Sequence, residues 1–174
     1  SLVPTAARSM SKDQFVAAYG TDTLAVNTTG ANNTAIGYQA LDVNTTGAAN
    51  TALGSGALGG NTTGVDSTAV GKDALLAATT ATGNTAMGAR AADVTTTGSD
   101  NSAFGLDALG GTTTGASNSA IGANALKANT TGANNTAVGK DALLSATVAT
   151  GNTAIGKSSG DALTTGTDNT LIGM

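Results

Sequence analysis

The stretch Asn33-Thr34-Ala35-Ile36-Gly37 returns with small changes every 17 residues along the chain. Its closing glycine recurs as Gly20, Gly37, Gly54, Gly71, Gly88, Gly105, Gly122, Gly139, Gly156 and Gly173. Each step is 17 residues, since 54 − 37 = 17 and 173 − 156 = 17, and no insertion or deletion interrupts the series. Self-similarity at a fixed period is the sequence signature of a repeat architecture.

Two polar columns keep the same register. The first, nine positions before each glycine, is the candidate threonine ladder Thr28, Thr45, Thr62, Thr79, Thr96, Thr113, Thr130, Thr147 and Thr164. The second, four positions before each glycine, is Asn33, Asn50, Ser67, Asn84, Asn101, Asn118, Asn135, Asn152 and Asn169. The asparagines could either form an amide ladder from coil to coil or satisfy backbone groups of the turns.

A period of 17 residues favours one coil of a narrow solenoid. It is too short for the helical repeats of about 33–47 residues and for a propeller blade. The glycines and the Thr-Thr and Asn-Thr pairs are also poor helix formers. We predict an all-β parallel β-solenoid, or β-roll, of ten coils, each with two short strands joined by two tight turns. Coils about 4.8 Å apart would make a rod of roughly 48 Å.

The composition excludes several other classes of protein. Aromatic residues are 2% of the 174, and Cys, His and Trp are absent, so large side chains are too few for a wide globular core. Charged residues are only 10%, unlike a disordered chain. The net charge is −4 and the seven Lys and Arg are scattered, which speaks against a nucleic-acid partner. No apolar run approaches the ~20 residues of a membrane span.

Alternation along the short strand predicts an outward apolar stripe. If Ala35 faces the cramped interior, its neighbour Ile36 must face outward. The column that contains it is Ile36, Leu53, Val70, Met87, Phe104, Ile121, Val138, Ile155 and Ile172. Because a soluble monomer seldom exposes such a stripe, we expect it to be buried between chains, most simply at the axis of a homotrimer. The alternative is a monomeric solenoid with these large residues inside and alanine outside.

The two ends of the chain differ from the repeat. Residues 1–15 lack the pattern and are expected to cap the first coil or connect it to a preceding domain. Residues 16–174 form the predicted solenoid, which stops in mid-repeat at Gly173-Met174. This ending indicates a fragment of a longer fibre.

Catalytic chemistry has few residues to use. Without His, Cys or Glu, the chain lacks the usual general bases and thiol nucleophile. The eleven acidic residues are all Asp and are dispersed over several columns. The column two after the glycine, for example, reads Asp22, Gln39, Gly56, Asp73, Arg90, Asp107, Asn124, Asp141 and Ser158. We therefore expect no enzyme, no catalytic or metal site and no cofactor.

The repeat resembles those of two kinds of surface fibre. Residues 33–37 are similar to the repeat of trimeric autotransporter adhesin heads, which are trimeric left-handed β-rolls. Residues 33–41 followed by 44–47 resemble repeats of bacteriophage tail fibres. The resemblance covers residues 18–174 approximately, although the adhesin repeats are usually a little shorter, which leaves handedness and strand count open. It implies a virion fibre or a cell-surface appendage that acts as a stiff spacer for attachment.

Three functional hypotheses follow. The first is a homotrimeric structural fibre, as in a phage tail fibre, located on the virion or outside the cell, whose flanking regions would meet a host receptor or glycan. The second is the head of a bacterial surface adhesin. The third is an ice-binding solenoid, because outward threonine ladders at solenoid spacing could order water; the adjacent Thr28 and Thr29 argue against it, since neighbours point to opposite faces.

Overall fold

A computed structural model describes residues 16–173, which form an all-β solenoid of about nine turns without any helix. The cap or connector expected at residues 1–15 lies outside the described residues. Each of the ten strands has three residues. In chain order they are β1 Ala17–Tyr19, β2 Thr34–Ile36, β3 Thr51–Leu53, β4 Thr68–Val70, β5 Thr85–Met87, β6 Ser102–Phe104, β7 Ser119–Ile121, β8 Thr136–Val138, β9 Thr153–Ile155 and β10 Thr170–Ile172.

The ten strands make one parallel sheet in which neighbours in sequence are neighbours in space. Between β2 and β3, Ala35 lies opposite Ala52 and Ile36 opposite Leu53. The register of every pair is therefore one repeat, since 52 − 35 = 17. The prediction that residues 17 apart are vertical neighbours is confirmed.

The prediction of two strands in each coil is wrong for the described residues. Each coil has one strand of three residues, and the other 14 (17 − 3) form turns. Asn32, Gln39 and Leu41, in one coil, have positive φ angles of 58°, 55° and 51°. Left-handed residues at such short intervals bend the chain too often to leave room for a second strand.

The turns are nevertheless hydrogen-bonded along the rod. The Leu41 N–H donates to the carbonyl of Ala57 at 3.1 Å, and the Thr45 N–H donates to that of Thr62 at 2.9 Å. Backbone groups outside the sheet thus also find partners one coil away, which leaves few of them unsatisfied.

Leucine at a left-handed position was not expected from the sequence. Left-handed backbone costs an L-residue roughly 1–2 kcal/mol, whereas burying a leucine side chain gains about 1.5–3 kcal/mol. Burial is complete for Leu41, Leu58, Leu75, Leu109, Leu126 and Leu143. The unusual backbone is accepted because it aims this side chain into the middle of the coil.

The interior is filled by small residues around these leucines. Ala35 and its equivalents from Ala52 to Ala154 are fully buried, while the residue after each of them lies on the surface. The alternation inferred for the strand is confirmed, and the alternative with alanine outside is excluded.

In the last coil one interior position has a smaller residue than usual and another has a larger one, and the interior stays filled. Gly160 stands where all other coils except that of Ala92 carry leucine, and Leu171 stands where the other coils carry alanine. A Cβ atom on Gly160 would lie 3.5 Å from Cδ1 of Leu171. The larger residue at one position therefore occupies the space that the smaller one leaves.

Candidate functional site

The outer face of the sheet carries the apolar stripe. Seven of its nine side chains are between 36% and 76% exposed: Ile36, Leu53, Met87, Phe104, Ile121, Ile155 and Ile172. Val70 and Val138 are half-buried. Because each pair of stripe residues is in register, their side chains form one column along the rod.

A hydroxyl column runs beside the stripe on the same face. It consists of the first residue of each strand from β2 to β10, a threonine except for Ser102 and Ser119. Residues two apart in a strand point to the same side, so every rung presents one hydroxyl and one large apolar group. The face is therefore amphipathic across its width and uniform along its length.

The candidate threonine ladder is bonded within the solenoid. Thr28 donates its hydroxyl proton to the backbone carbonyl of Thr45 at 2.8 Å. The same bond links each member to the next up to Thr164, at distances of 2.8 to 3.3 Å. These hydroxyls hold successive coils together, and this role accounts for the column without a ligand.

The asparagine column combines the two roles that the sequence left open. Asn33 donates to the carbonyl of Gly47 and accepts from the N–H of Asn50, both in the next coil. From Asn118 onward each side chain also donates to the asparagine below it, at 2.9 to 3.1 Å. The column is structural, because its amides satisfy buried backbone groups.

The ten coil-turn glycines are also structural. They adopt φ angles between 123° and 145°, outside the range of ordinary L-residues, and nine of them, from Gly20 to Gly156, lie against the glycine of the next coil. Within residues 16–173, none of these glycines has a side chain that could take part in catalysis or binding.

A charged cleft lies on the surface of the solenoid. It has a volume of about 350 Å³ and is lined by Arg90, Asp93, Val94, Asp107, Gly110, Gly111 and Lys127. The carboxylate of Asp107, only 8% exposed as a residue, contacts Arg90 at 2.7 Å and Lys127 at 3.0 Å. Gly110 and Gly111 have no side chains, whereas the equivalent positions of the two neighbouring coils include Asp93, Val94 and Lys127. The cleft is thus a notch between two walls, with Asp107 at its base.

Sequence reasoning missed this cleft. The column with Arg90 and Asp107 carries aspartate in only some coils, but the spacing of 17 stacks these two opposite charges on adjacent coils. The glycine pair supplied the second signal, because two missing side chains in a repeat leave a gap. Lys127, 20 residues after Asp107, could be placed only by the fold.

The pKa values of the two aspartates of the cleft are shifted in opposite directions. The hydrogen bond from Arg90, together with Lys127, holds the pKa of Asp107 below its usual value. Burial raises the pKa of Asp93, and the nearby charge of Asp107 adds to the increase. Among the described residues Asp93 forms no ion pair.

Replacing Asp93 with asparagine is expected to stabilise the protein slightly near neutral pH. Because the folded-state pKa is raised, ionisation of Asp93 disfavours the fold, and this cost is complete only above that pKa. Below the ordinary value of 3.8 the side chain is protonated in both states and the benefit should vanish. Thermal melting of both proteins across this range would check the result, with Asp161→Asn, at an exposed equivalent position, as the control. An equal gain at acid pH would contradict the assignment.

Residues 16–173 hold no group of three or more metal-ligating side chains and no helix that could cross a bilayer. No protein-family model, curated protein or solved structure matches the chain.

Proposed function

We propose that this chain is a segment of a homotrimeric fibre, in which three parallel solenoids bury their outer sheet faces against one another. The observation that supports it is the apolar stripe, a column of nine large residues. Seven of the nine are at least 36% exposed on the single chain. Contiguous apolar patches of this kind mark interaction sites. Parallel association about a threefold axis brings identical rungs to one level, so every rung takes part.

The free energy gained by burying the stripe is of the same size as the cost of such an association. Removing the remaining exposed part of each side chain from water is worth roughly 1 kcal/mol, about half of the value for full burial. Nine rungs on three chains would gain roughly 27 kcal/mol, against about 4–15 kcal/mol for each of two association steps. Most rungs must therefore take part, which favours an in-register assembly.

The hydroxyl column also fits a packed face. Its two serines stand at Ser102 and Ser119, beside Phe104 and Ile121. The largest residue of the stripe is thus paired with the smaller hydroxyl residue. A surface open to water sets no limit on the combined volume of a rung, whereas a close-packed interface does.

The rod itself would act as a stiff spacer. Hydrogen bonds run along the axis in the sheet and in the turns, and ten strands at about 4.8 Å span roughly 43 Å. Bending such a rod would break many bonds at once. In the proposed role the fibre extends from a virion, as a tail fibre does, or from a cell surface, and holds an attachment region away from it.

Sedimentation equilibrium tests the proposal directly. We expect a mass of three chains for the protein and of one chain for Ile121→Lys, which would place three ammonium groups at the axis. Val148→Lys is the matched control, because Val148 lies outside the sheet and is 48% exposed against 46% for Ile121. It should keep the mass of three chains.

Three results would contradict the proposal. A single-chain mass for the unmodified protein would remove the assembly, and a two-chain mass would replace the trimer by a dimer. If Ile121→Lys and Val148→Lys had the same mass, the stripe would not be the interface. Circular dichroism of each variant would establish that a change of mass does not reflect unfolding.

A further inference from the structure

The charged cleft lies in the turns that follow strands β5, β6 and β7, away from the outer sheet face, and neither the threonine nor the asparagine ladder uses it. We propose that it binds one neutral sugar unit of a surface glycan. The lining combines hydrogen-bond donors, acceptors and a short apolar wall within a volume that suits a small ligand.

The charges of the cleft are fixed before any ligand arrives. Asp107 is held by both cations, one on the coil below it and one on the coil above. Lys127 also reaches Oδ1 of Asn124 at 3.4 Å. These contacts restrict two flexible side chains, so a ligand would lose less conformational freedom on their account.

Donors and acceptors remain available in this arrangement. A guanidinium has five N–H groups and an ammonium has three, so Arg90 and Lys127 retain donors beyond those given to Asp107. The carboxylate of Asp93 forms no ion pair among the described residues and can accept from two hydroxyl groups. Val94 offers an apolar surface against which the C–H face of a sugar ring can lie.

The balance of charge selects a neutral ligand. The four charged residues sum to zero, since two are cations and two are anions. A free carboxylate would meet Asp93 and Asp107, and a free ammonium would meet Arg90 and Lys127. The hydroxyl groups of a polyhydroxylated molecule can donate to the two aspartates and accept from Arg90 and Lys127. Such a molecule brings no net charge into a partly desolvated site.

The glycine pair provides the space. Leucine occupies the position of Gly110 two coils earlier, at Leu76, and two coils later, at Leu144 (110 − 76 = 34 and 144 − 110 = 34). The coil therefore tolerates a large side chain at this point. Gly110→Leu would fill the notch with a residue that the chain already carries elsewhere.

Saturation-transfer difference NMR with glucose, galactose, mannose and N-acetylglucosamine would test the site. At about 100 mM sugar even a dissociation constant of about 10 mM would give nearly full occupancy. We expect transfer to at least one sugar from the unmodified protein and from the control Asp161→Asn. Asp93→Asn should weaken binding at least about tenfold, because a hydrogen bond to a charged acceptor is lost. Gly110→Leu should abolish it.

Absence of transfer to all four sugars, or equal transfer from Gly110→Leu, would overturn the proposal. Stronger binding of a zwitterion such as free glycine would overturn the ligand class. The mass of the same samples gives an independent readout, since none of these substitutions lies on the outer sheet face. Sugar binding and trimer formation can therefore fail separately.

Discussion

Replacing Gly122 with alanine is expected to lower the free energy of unfolding by roughly 3–5 kcal/mol. Gly122 has a φ of 132°, a conformation that is nearly restricted to glycine. A Cβ atom there would lie 2.6 Å from the carbonyl carbon and oxygen of Gly139. These are backbone atoms of the next coil, which cannot move aside without disturbing the hydrogen bonds between the coils. Denaturant titration followed by circular dichroism measures the loss.

Gly110→Ala is the matched control for this substitution. Gly110 has no positive φ, and the nearest atom to an added Cβ is the Asp107 carbonyl oxygen at 3.1 Å, within the same coil. Alanine also restricts the unfolded chain, so this variant should be unchanged or slightly more stable. If the two alanine variants lost the same stability, close approach of the coils at the glycine column would not be the reason that glycine is required.

The period decides more of this fold than any single residue. A repeat of 17 without insertions requires Ala35, Ala52 and Ala69 to stack, and the parallel register follows from it. The outward position of Ile36 follows from alternation in the strand. Such inferences succeed because they depend on geometry that is common to every coil.

The path of the chain within a coil could not be read from the sequence in the same way. Glycine and asparagine are the residues that most readily adopt left-handed backbone in turns, yet Leu41 and Gln39 adopt left-handed angles here. The gain from filling the interior outweighs the backbone preference of leucine, and this balance depends on the tertiary structure. The second expected strand was lost for that reason.

A second asparagine ladder escaped notice because the column is interrupted. Asn44 donates to Asn27, and Asn61 donates to Asn44, each at 2.8 Å. The column then changes to Ala78, and the Oδ1 atom of Asn61 is left without a partner. Interrupted columns carry little signal in a sequence, although they build continuous contacts over several coils.

The interruptions of this ladder follow a steric rule. A Cβ atom on Gly47 would overlap Oδ1 of Asn44, three residues earlier, so asparagine at that position requires glycine. Two of the interruptions carry alanine at both positions, in the pairs Ala78 with Ala81 and Ala146 with Ala149, whereas Thr95, Thr112 and Leu163 keep the glycine three residues later. Alanine at the second position thus occurs only in coils that lack the asparagine.

Replacing Asn118 with alanine is expected to cost roughly 2–5 kcal/mol, the second large effect. The side chain is fully buried and donates to the carbonyl of Gly132 at 2.9 Å and to Oδ1 of Asn101 at 3.1 Å. Its own Oδ1 accepts from the backbone N–H of Asn135 at 3.0 Å. Alanine would leave the buried N–H of Asn135 unpaired, at about 1–3 kcal/mol, whereas the Gly132 carbonyl would keep the amide of Asn129 as a donor at 3.0 Å. The lost hydrogen bonds to Gly132 and Asn101 add about 0.5–1.5 kcal/mol each. Equilibrium denaturation measures the difference.

Two further variants distinguish the loss of these hydrogen bonds from a general loss of polarity. They are Asn118→Ser and Asn134→Ala. At Ser67, in the same column, the hydroxyl accepts from the N–H of Asn84 at 3.3 Å, so Asn118→Ser should recover part of the loss. Asn134 is exposed and occupies a position where another coil carries alanine with a φ of 56°, so Asn134→Ala should change little. Equal stability of the serine and alanine variants at 118 would mean that the volume of the asparagine, rather than its hydrogen bonds to the next coil, stabilises the column.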